Sequence, residues 1–304
     1  MQLRLLAIPA IAGLALVACG SDNNTSSTTT GNAAATATPS PTAAACQTGT
    51  ITASGSTALQ PLVQAAAQAY QTKCTGATIT VSGGGSSTGL SNVSSGASDI
   101  GDSDVPVSNA KAVDPTTVKD HQVAIVVFSV IVNPKAGVTN LTTAQVRDIF
   151  SGKDTNWSQV GGANQAITLV ERKPGSGTRL SFDKIIMQGT NESATPASTQ
   201  DSTQLVLSGV AGPPGGVSYL AASSADATVT KVSLDGVAPS GDNVKAGTYK
   251  YFSHEHMYTK TAPASPLVEA FINFMVAADF QSTTVTQLGF LPLSTTTEQS
   301  LADQ

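Results

Sequence analysis

Charge, aromatic rings and cysteine are all scarce in this chain. Of its 304 residues 12% are charged and 5% aromatic, with one Trp, three His and three Cys. Lys and Arg total 15 against 20 Asp and Glu, a net charge of -5, and no basic stripe marks a nucleic-acid surface. So few thiols and imidazoles leave no convincing metal spacing; His254-Glu255-His256 sets two imidazoles on one face of a strand, but no third ligand follows, and both read as exposed strand residues. The apolar run Leu5–Val17 is too short to span a bilayer comfortably, and no internal repeat at a solenoid period is visible.

What is present begins with an export signal: Arg4, the apolar run, and a small-residue region ending at Cys19. Leu16-Val17-Ala18-Cys19 resembles the bacterial lipobox, whose cysteine becomes the lipidated N-terminus. That resemblance implies an exported chain, residues 1–19 being removed or processed, and a lipid anchor at Cys19 on the periplasmic or cell-surface side of a membrane. An ordinary secretory peptide is the alternative. Residues 20–45 are nearly all Ser, Thr, Ala, Asn, Gly and Pro, too poor in apolar groups to offset ordering entropy, and read as a flexible tether. Cys46 and Cys74 both lie beyond it, where an oxidising compartment favours one disulfide from the start of the first strand to the end of the first helix; two buried thiols are the alternative.

Residues 46–304 suffice for a large core or two lobes. Short β-branched runs alternate with helical patterns: strands over Thr48–Ala53, Ala77–Ser82, Ile167–Val170, Val217–Leu220 and Tyr249–Tyr258, and helices over Leu59–Thr72, Leu90–Ser94, Thr143–Phe150, Leu180–Met187, Ser202–Ser208 and Ser265–Ala277. Ala124–Asn133 is continuously apolar and fits a strand buried on both faces. The alternation predicts an α/β fold.

Three clusters rich in Gly, Ser and Thr stand at predicted helix starts: Ser54-Gly55-Ser56-Thr57, Gly83 to Gly89, and Arg172-Lys173-Pro174-Gly175-Ser176-Gly177-Thr178-Arg179. Helix starts present unpaired N–H groups and partial positive charge. One such cluster is an ordinary loop, whereas three, one of them flanked by arginines, describe a converging anion site made of hydroxyls, bare amides and arginine. In a mildly acidic protein such capture must be local, by aimed donors rather than a long-range field.

These residues, with Gly101-Asp102-Ser103-Asp104-Val105-Pro106, Ile149 to Lys153, Trp157 to Gly162, Gly216 to Tyr219 and Gln287 to Leu293, resemble the PstS-type phosphate-binding proteins, the capture subunits of phosphate ABC transporters. The resemblance spans nearly the whole exported body. It implies a two-lobed periplasmic-binding-protein-like fold of type II with two crossovers, one lobe being 46–127 plus 250–304 and the other 128–249. It implies capture of inorganic phosphate, without a cofactor, metal or catalytic residue, by a monomer that delivers it to ABC permease subunits. Carried over by position, the ligand contacts fall on Thr57, Ser86, Asp104, Arg172, Ser176, Gly177 and Thr178.

Asp104 is the most informative of these. An ionised carboxylate only accepts hydrogen bonds, so it welcomes an anion that still carries a proton and repels one that does not. Hydrogen phosphate fits that demand; sulfate, molybdate or another oxyanion is the competing ligand, and a phosphate-sensing surface protein the competing role. Two departures from the family pattern stand out: Pro174 replaces an acidic residue that some members carry and that orients the arginine, and Asp102, often a small residue, reads as a surface carboxylate. A rival from another class is an exported serine esterase. Gly85-Ser86-Ser87-Thr88-Gly89 matches Gly-x-Ser-x-Gly, with Ser87 as nucleophile and His254 or His256 as base, although no oxyanion-loop motif precedes it.

Overall fold

Strand-forming and helix-forming segments follow one another in the order their composition suggests, and the glycine clusters fall at the turns between them. The computed structural model describes residues 46–109, 113–262, 265–295 and 300–303; the export signal, Cys19 and the tether lie outside them. The first part of the chain runs β1 (Gly49–Gly55), α1 (Gln60–Lys73), β2 (Ala77–Ser82), α2 (Ser86–Ser95), β3 (Ile100–Ser103) and β4 (Val118–Val132). The middle part runs β5 (Asn140–Leu141), α3 (Thr143–Phe150), β6 (Thr168–Arg172), α4 (Gly177–Phe182), β7 (Ser198–Gln200), α5 (Thr203–Ala211), β8 (Gly216–Ala221), β9 (Thr230–Lys231), β10 (Ser233–Leu234) and α6 (Gly241–Lys245). The chain then returns through β11 (Phe252–Lys260) to α7 (Pro266–Val276).

Local chemistry accounts for the helix boundaries. Thr142 and Gln145 form a reciprocal capping box at α3, Ser202 caps α5, and Ser265 caps α7 with Pro266 in its first turn. In α1 the buried residues Leu62, Val63, Ala66, Ala67 and Tyr70 form one stripe, and Tyr70 meets Phe271 and Phe274 of α7 edge to face. A disulfide joins Cys46 to Cys74, tying the segment before β1 to the end of α1 with Cα atoms 5.2 Å apart.

One sheet threads the body in the order β2-β1-β3-β11-β4-β8-β6-β7, with β9 also on β4. β1 lies parallel between β2 and β3, and β6 lies parallel between β8 and β7. β4 connects the two groups, pairing antiparallel with β11 as far as Val127 and with β8 from Phe128. The chain comes back beside that switch, where Phe128 N–H donates to Tyr251 O at 3.0 Å and Tyr249 OH donates to Phe128 O at 2.9 Å. These bonds draw Tyr249 and Tyr251 out of the ladder, so the strand expected from Tyr249 starts at Phe252. The helix expected from Leu180 instead begins at Gly177, and its last turn, Asp183–Met187, is π-helical.

Parallel strands aim their C-terminal ends at the same edge, which is where open α/β sheets bind ligands. Here β1, β2 and β6 run into the three clusters, while β3 ends just before Asp104 and β7 just before Ser202 at the start of α5.

Candidate functional site

Gly55 ends β1 at φ +142°, and a Cβ there would sit 2.1 Å from Asp102 O. Only glycine lets the chain leave β1 that close to β3. Ser56 N–H then donates to Asp102 O at 2.9 Å, and Ser56 Oγ accepts from Ala58 and Leu59 N–H at 3.0 and 3.1 Å. With its acceptor side filled by amides, the Ser56 hydroxyl directs its proton to Asp104 Oδ1.

The second cluster docks against both neighbours. Gly85 N–H donates to Gly55 O at 2.8 Å, and Ser87 N–H donates to Gly175 O at 3.0 Å. Ser86, wholly buried, accepts from Asp104 N–H at 3.0 Å, which leaves its own proton free to donate. A Cβ on Gly177 would come within 2.2 Å of Ser86 Oγ, so α4 reaches α2 only because residue 177 lacks a side chain.

The third cluster supplies the cation. Arg172 ends β6 and is 1% exposed. Its Nη2 donates to Thr57 Oγ1 at 3.1 Å and its Nη1 to Thr178 Oγ1 at 3.3 Å; Thr178 in turn donates to Asp104 Oδ2 at 2.8 Å. Guanidinium and carboxylate therefore belong to one network, bridged by a hydroxyl that accepts from one and donates to the other. Burial lowers the Arg172 pKa while the Asp104 charge opposes that. Ser176 caps α4 by accepting from Arg179 N–H.

All seven residues expected from the sequence are brought together: Thr57, Ser86 and Asp104 from the first group of strands, Arg172, Ser176, Gly177 and Thr178 from the second. An opening of about 490 Å³ beside them is lined by Thr57, Gly84, Thr88, Lys173, Ser176 and Asp201. Two further hydroxyls join them. Ser56, inside the first cluster, sits between Thr57 and Gly55 and donates to Asp104. Thr203 starts α5, where its N–H donates to Thr57 Oγ1 at 3.2 Å and its hydroxyl pairs with Thr57 at 3.1 Å. The N-cap signal at Ser202 marks that helix start in the sequence, but nothing local says that it meets Thr57.

Arg179, the other arginine of its cluster, faces away from this network. It donates to Arg172 O and pairs with Glu192 at 2.5 Å and Glu171 at 3.4 Å. Burial pushes Glu192 up to about 8 against the pull of the Tyr219 hydroxyl and Arg179. With Pro174 in the loop, Arg172 is thus held by two threonine hydroxyls and by its own carbonyl.

Three expectations fail. Asp102 is not at the surface: it is wholly buried, on a strand inside the sheet between β1 and β11. His254 and His256 are not exposed strand residues. His256 is 1% exposed and bonded to Asp120 at 2.9 Å, while His254 is partly buried against Asp303. The C-terminal turn Leu301–Asp303 lies on β11 and supplies the shared carboxylate, a contact invisible in a local reading of the strand. Among the described residues neither histidine bonds to Ser87, so the nucleophile and base that an esterase needs are not assembled. Trp157 is buried and donates to Gly215 O at 3.1 Å, a packing role.

Residues 40–279 match the family model of the PBP superfamily domain. The phosphate-binding protein PstS of Bacillus subtilis is 42% identical over 249 residues, covering 81% of each chain. The chain belongs to the PstS family. The structure of a phosphate ABC transporter substrate-binding protein with bound phosphate from Clostridium perfringens is 29% identical with a TM-score of 0.74, covering 81% of this chain and all of that one. An ABC-type phosphate transport receptor from Vibrio cholerae is 27% identical with a TM-score of 0.64, covering 79% and 99%. Within the PstS family the sheet described above is the two-lobed type II binding-protein fold, crossed twice by the chain.

Proposed function

We propose that this protein captures hydrogen phosphate between its two groups of strands and delivers it to an ABC-type importer. The observation that carries this reading is the hydroxyl bridge from Arg172 through Thr178 to Asp104, because a cradle of donors that also contains a carboxylate suits an anion still holding a proton. Arg172 meets the charge. Thr57, Ser86, Ser176 and Thr178 offer hydroxyls, Gly177 allows close backbone approach, and Asp104 accepts the ligand's proton. A fully ionised oxyanion leaves Asp104 without a donor and facing a like charge. No chemistry on the ligand is needed; the relatives named above are binding and transport proteins.

Capture couples to closure when the ligand touches both halves. Residues 46–127 plus 250–304 carry Thr57, Ser86 and Asp104, residues 128–249 carry Arg172 to Thr178, and the paired strands at Val127/Phe128 are the hinge in this reading. We further propose that the mature chain is a monomer held to the membrane by a lipid on Cys19, through the tether of residues 20–45. Among the described residues no helix is long and apolar enough to cross a membrane.

Calorimetric titration of the purified protein with phosphate and with sulfate tests the reading. Phosphate should bind and sulfate should not, and Asp104→Asn should narrow the preference by about tenfold or more, the cost of one unsatisfied buried acceptor. Equal uptake of both anions by the parent protein overturns it.

A further inference from the structure

Three carboxyls lie on one face of the sheet behind the candidate site. β11 pairs antiparallel with β3 in the register His256↔Ser103 and Met257↔Asp102, so Glu255 falls opposite Asp104, one step beyond the end of β3. Opposed residues of an antiparallel pair share a face, as do residues two apart on a strand. Asp102, Asp104 and Glu255 therefore point the same way, and they are 0%, 1% and 0% exposed.

Their partners differ sharply. Asp104 takes hydroxyl donors on both oxygens, from Ser56 and from Thr178, and has the Arg172 guanidinium one hydroxyl away. Among the described residues no N–H or O–H donates to either oxygen of Glu255 or of Asp102. Glu255 instead stands in the position directly opposite Asp104 across the β11–β3 pair, and the negative charge of Asp104 bears on it. Two carboxylates on opposed, buried positions repel one another, and burial favours keeping one of them protonated. The donors and the cation are all on Asp104, so the proton belongs to Glu255.

We propose that Glu255 is a positioning residue for the anion site: a buried neutral carboxylic acid that donates its proton to Asp104, holding that carboxylate ionised, oriented and with one acceptor direction left for the ligand's hydrogen. This rests on the phosphate reading above and deepens it. The charge balance follows. One guanidinium and one carboxylate face the ligand, whereas an ionised Glu255 would add a second negative charge behind Asp104 and weaken anion capture. Burial raises the pKa of Glu255 first, and the Asp104, Asp102 and Asp303 charges raise it further. Burial likewise raises Asp102. The groups facing Glu255 are thus Asp102 from β3, Asp104 after it, and Asp303 from the C-terminal turn; α2 carries no titratable side chain, and β4 presents Ala124 opposite. As pH rises through the Glu255 value, the proton on Asp104's neighbour is lost and affinity should fall.

The test separates this proposal from the phosphate reading by using a signal that needs no ligand. In full-length protein labelled with ¹³C at the Glu carboxyl carbons, Glu255 should show a neutral carboxyl at pH 7, assigned as the signal missing from Glu255→Gln. If that variant does not fold, the assignment comes by elimination from Gln substitutions at Glu171, Glu192, Glu269 and Glu298. An ionised Glu255 at pH 7 overturns the proposal, whether or not phosphate binds. In calorimetry Glu255→Gln, which keeps a neutral donor, should stay within about threefold of the parent at pH 7 and lose less affinity at alkaline pH. Glu255→Leu, neutral but unable to donate, should weaken phosphate at least tenfold, the order expected for a lost hydrogen bond to a charge. Parallel pH profiles of parent and Gln variant overturn the proposal too.

Discussion

The two groups of strands contribute opposite chemistry to the candidate site, and they stabilise it by opposite means. The β1–β3 side offers acceptors: Asp104 with two buried carboxyls behind it, approached through Gly55 and held by hydroxyl donors. The β6–α4 side offers the guanidinium of Arg172, braced through its carbonyl by Arg179, which is itself paired with Glu171 and Glu192. Neither side is an anion site by itself. In the proposed reading, Asp104 on the first side would face an anion without a matching proton, the second side alone has no means of telling a protonated anion from a bare one, and discrimination arises where Thr178 joins them.

Removing the cation should break the comparison most. Arg172→Ala should cost about a hundredfold or more in phosphate affinity by calorimetry, since two charge-assisted contacts go at once, and Arg172→Lys somewhat less because a lysine cannot make both. Next comes the seam. Gly177→Ala places a Cβ 2.2 Å from the buried Ser86 hydroxyl, and overpacking of this kind costs on the order of 1–3 kcal/mol, so both the unfolding free energy and, by about tenfold, the affinity should drop. The disulfide, by contrast, lies on the acceptor side away from the site. Paired Cys46→Ser and Cys74→Ser changes should lower unfolding free energy by about 2–4 kcal/mol and leave phosphate affinity within about threefold.

The smallest effect should come from pH acting on the acceptor side alone. Burial disfavours the charged His256 imidazole, but its contacts with Asp120 and Asp303 outweigh that and push it up to about 9. A raised folded value contributes stability that is complete below the unfolded value near 6.5 and is lost as pH rises through about 9. Asp303, held down to about 2 by both histidines against the cost of burial, contributes stability above about 4 that is lost as pH falls through about 2. Asp303→Asn should flatten the alkaline limb of a melting-temperature profile; an unchanged limb would mean that this histidine pair does not report on folding.

Much of the site could be read along the chain because its parts are local. A glycine beside hydroxyl residues at a helix start offers free amide and hydroxyl donors, and three such clusters together point to an anion site; Gly55, Ser86 and Ser176 all carry that signature. Asp102, Thr203 and the histidines could not be read that way. Asp102 looks like any polar residue on a short strand, and only the position of β3 inside the folded sheet makes it buried. Thr203 sits far along the chain from Thr57, and only the meeting of α5 with the first helix's entry loop joins them. His254 and His256 have no local partner, since Asp303 reaches them from the other end of the fold.

The order of strands and helices, the positions of the tight turns and the supply of hydroxyls, arginine and aspartate were written in the amino-acid sequence, because backbone preference and side-chain chemistry act over a few residues. Which acceptor each donor finds, and which carboxyls lose water, was decided by tertiary structure alone. Dielectric surroundings and hydrogen-bond partners come from strands and helices that are distant in sequence and adjacent only once the sheet has formed.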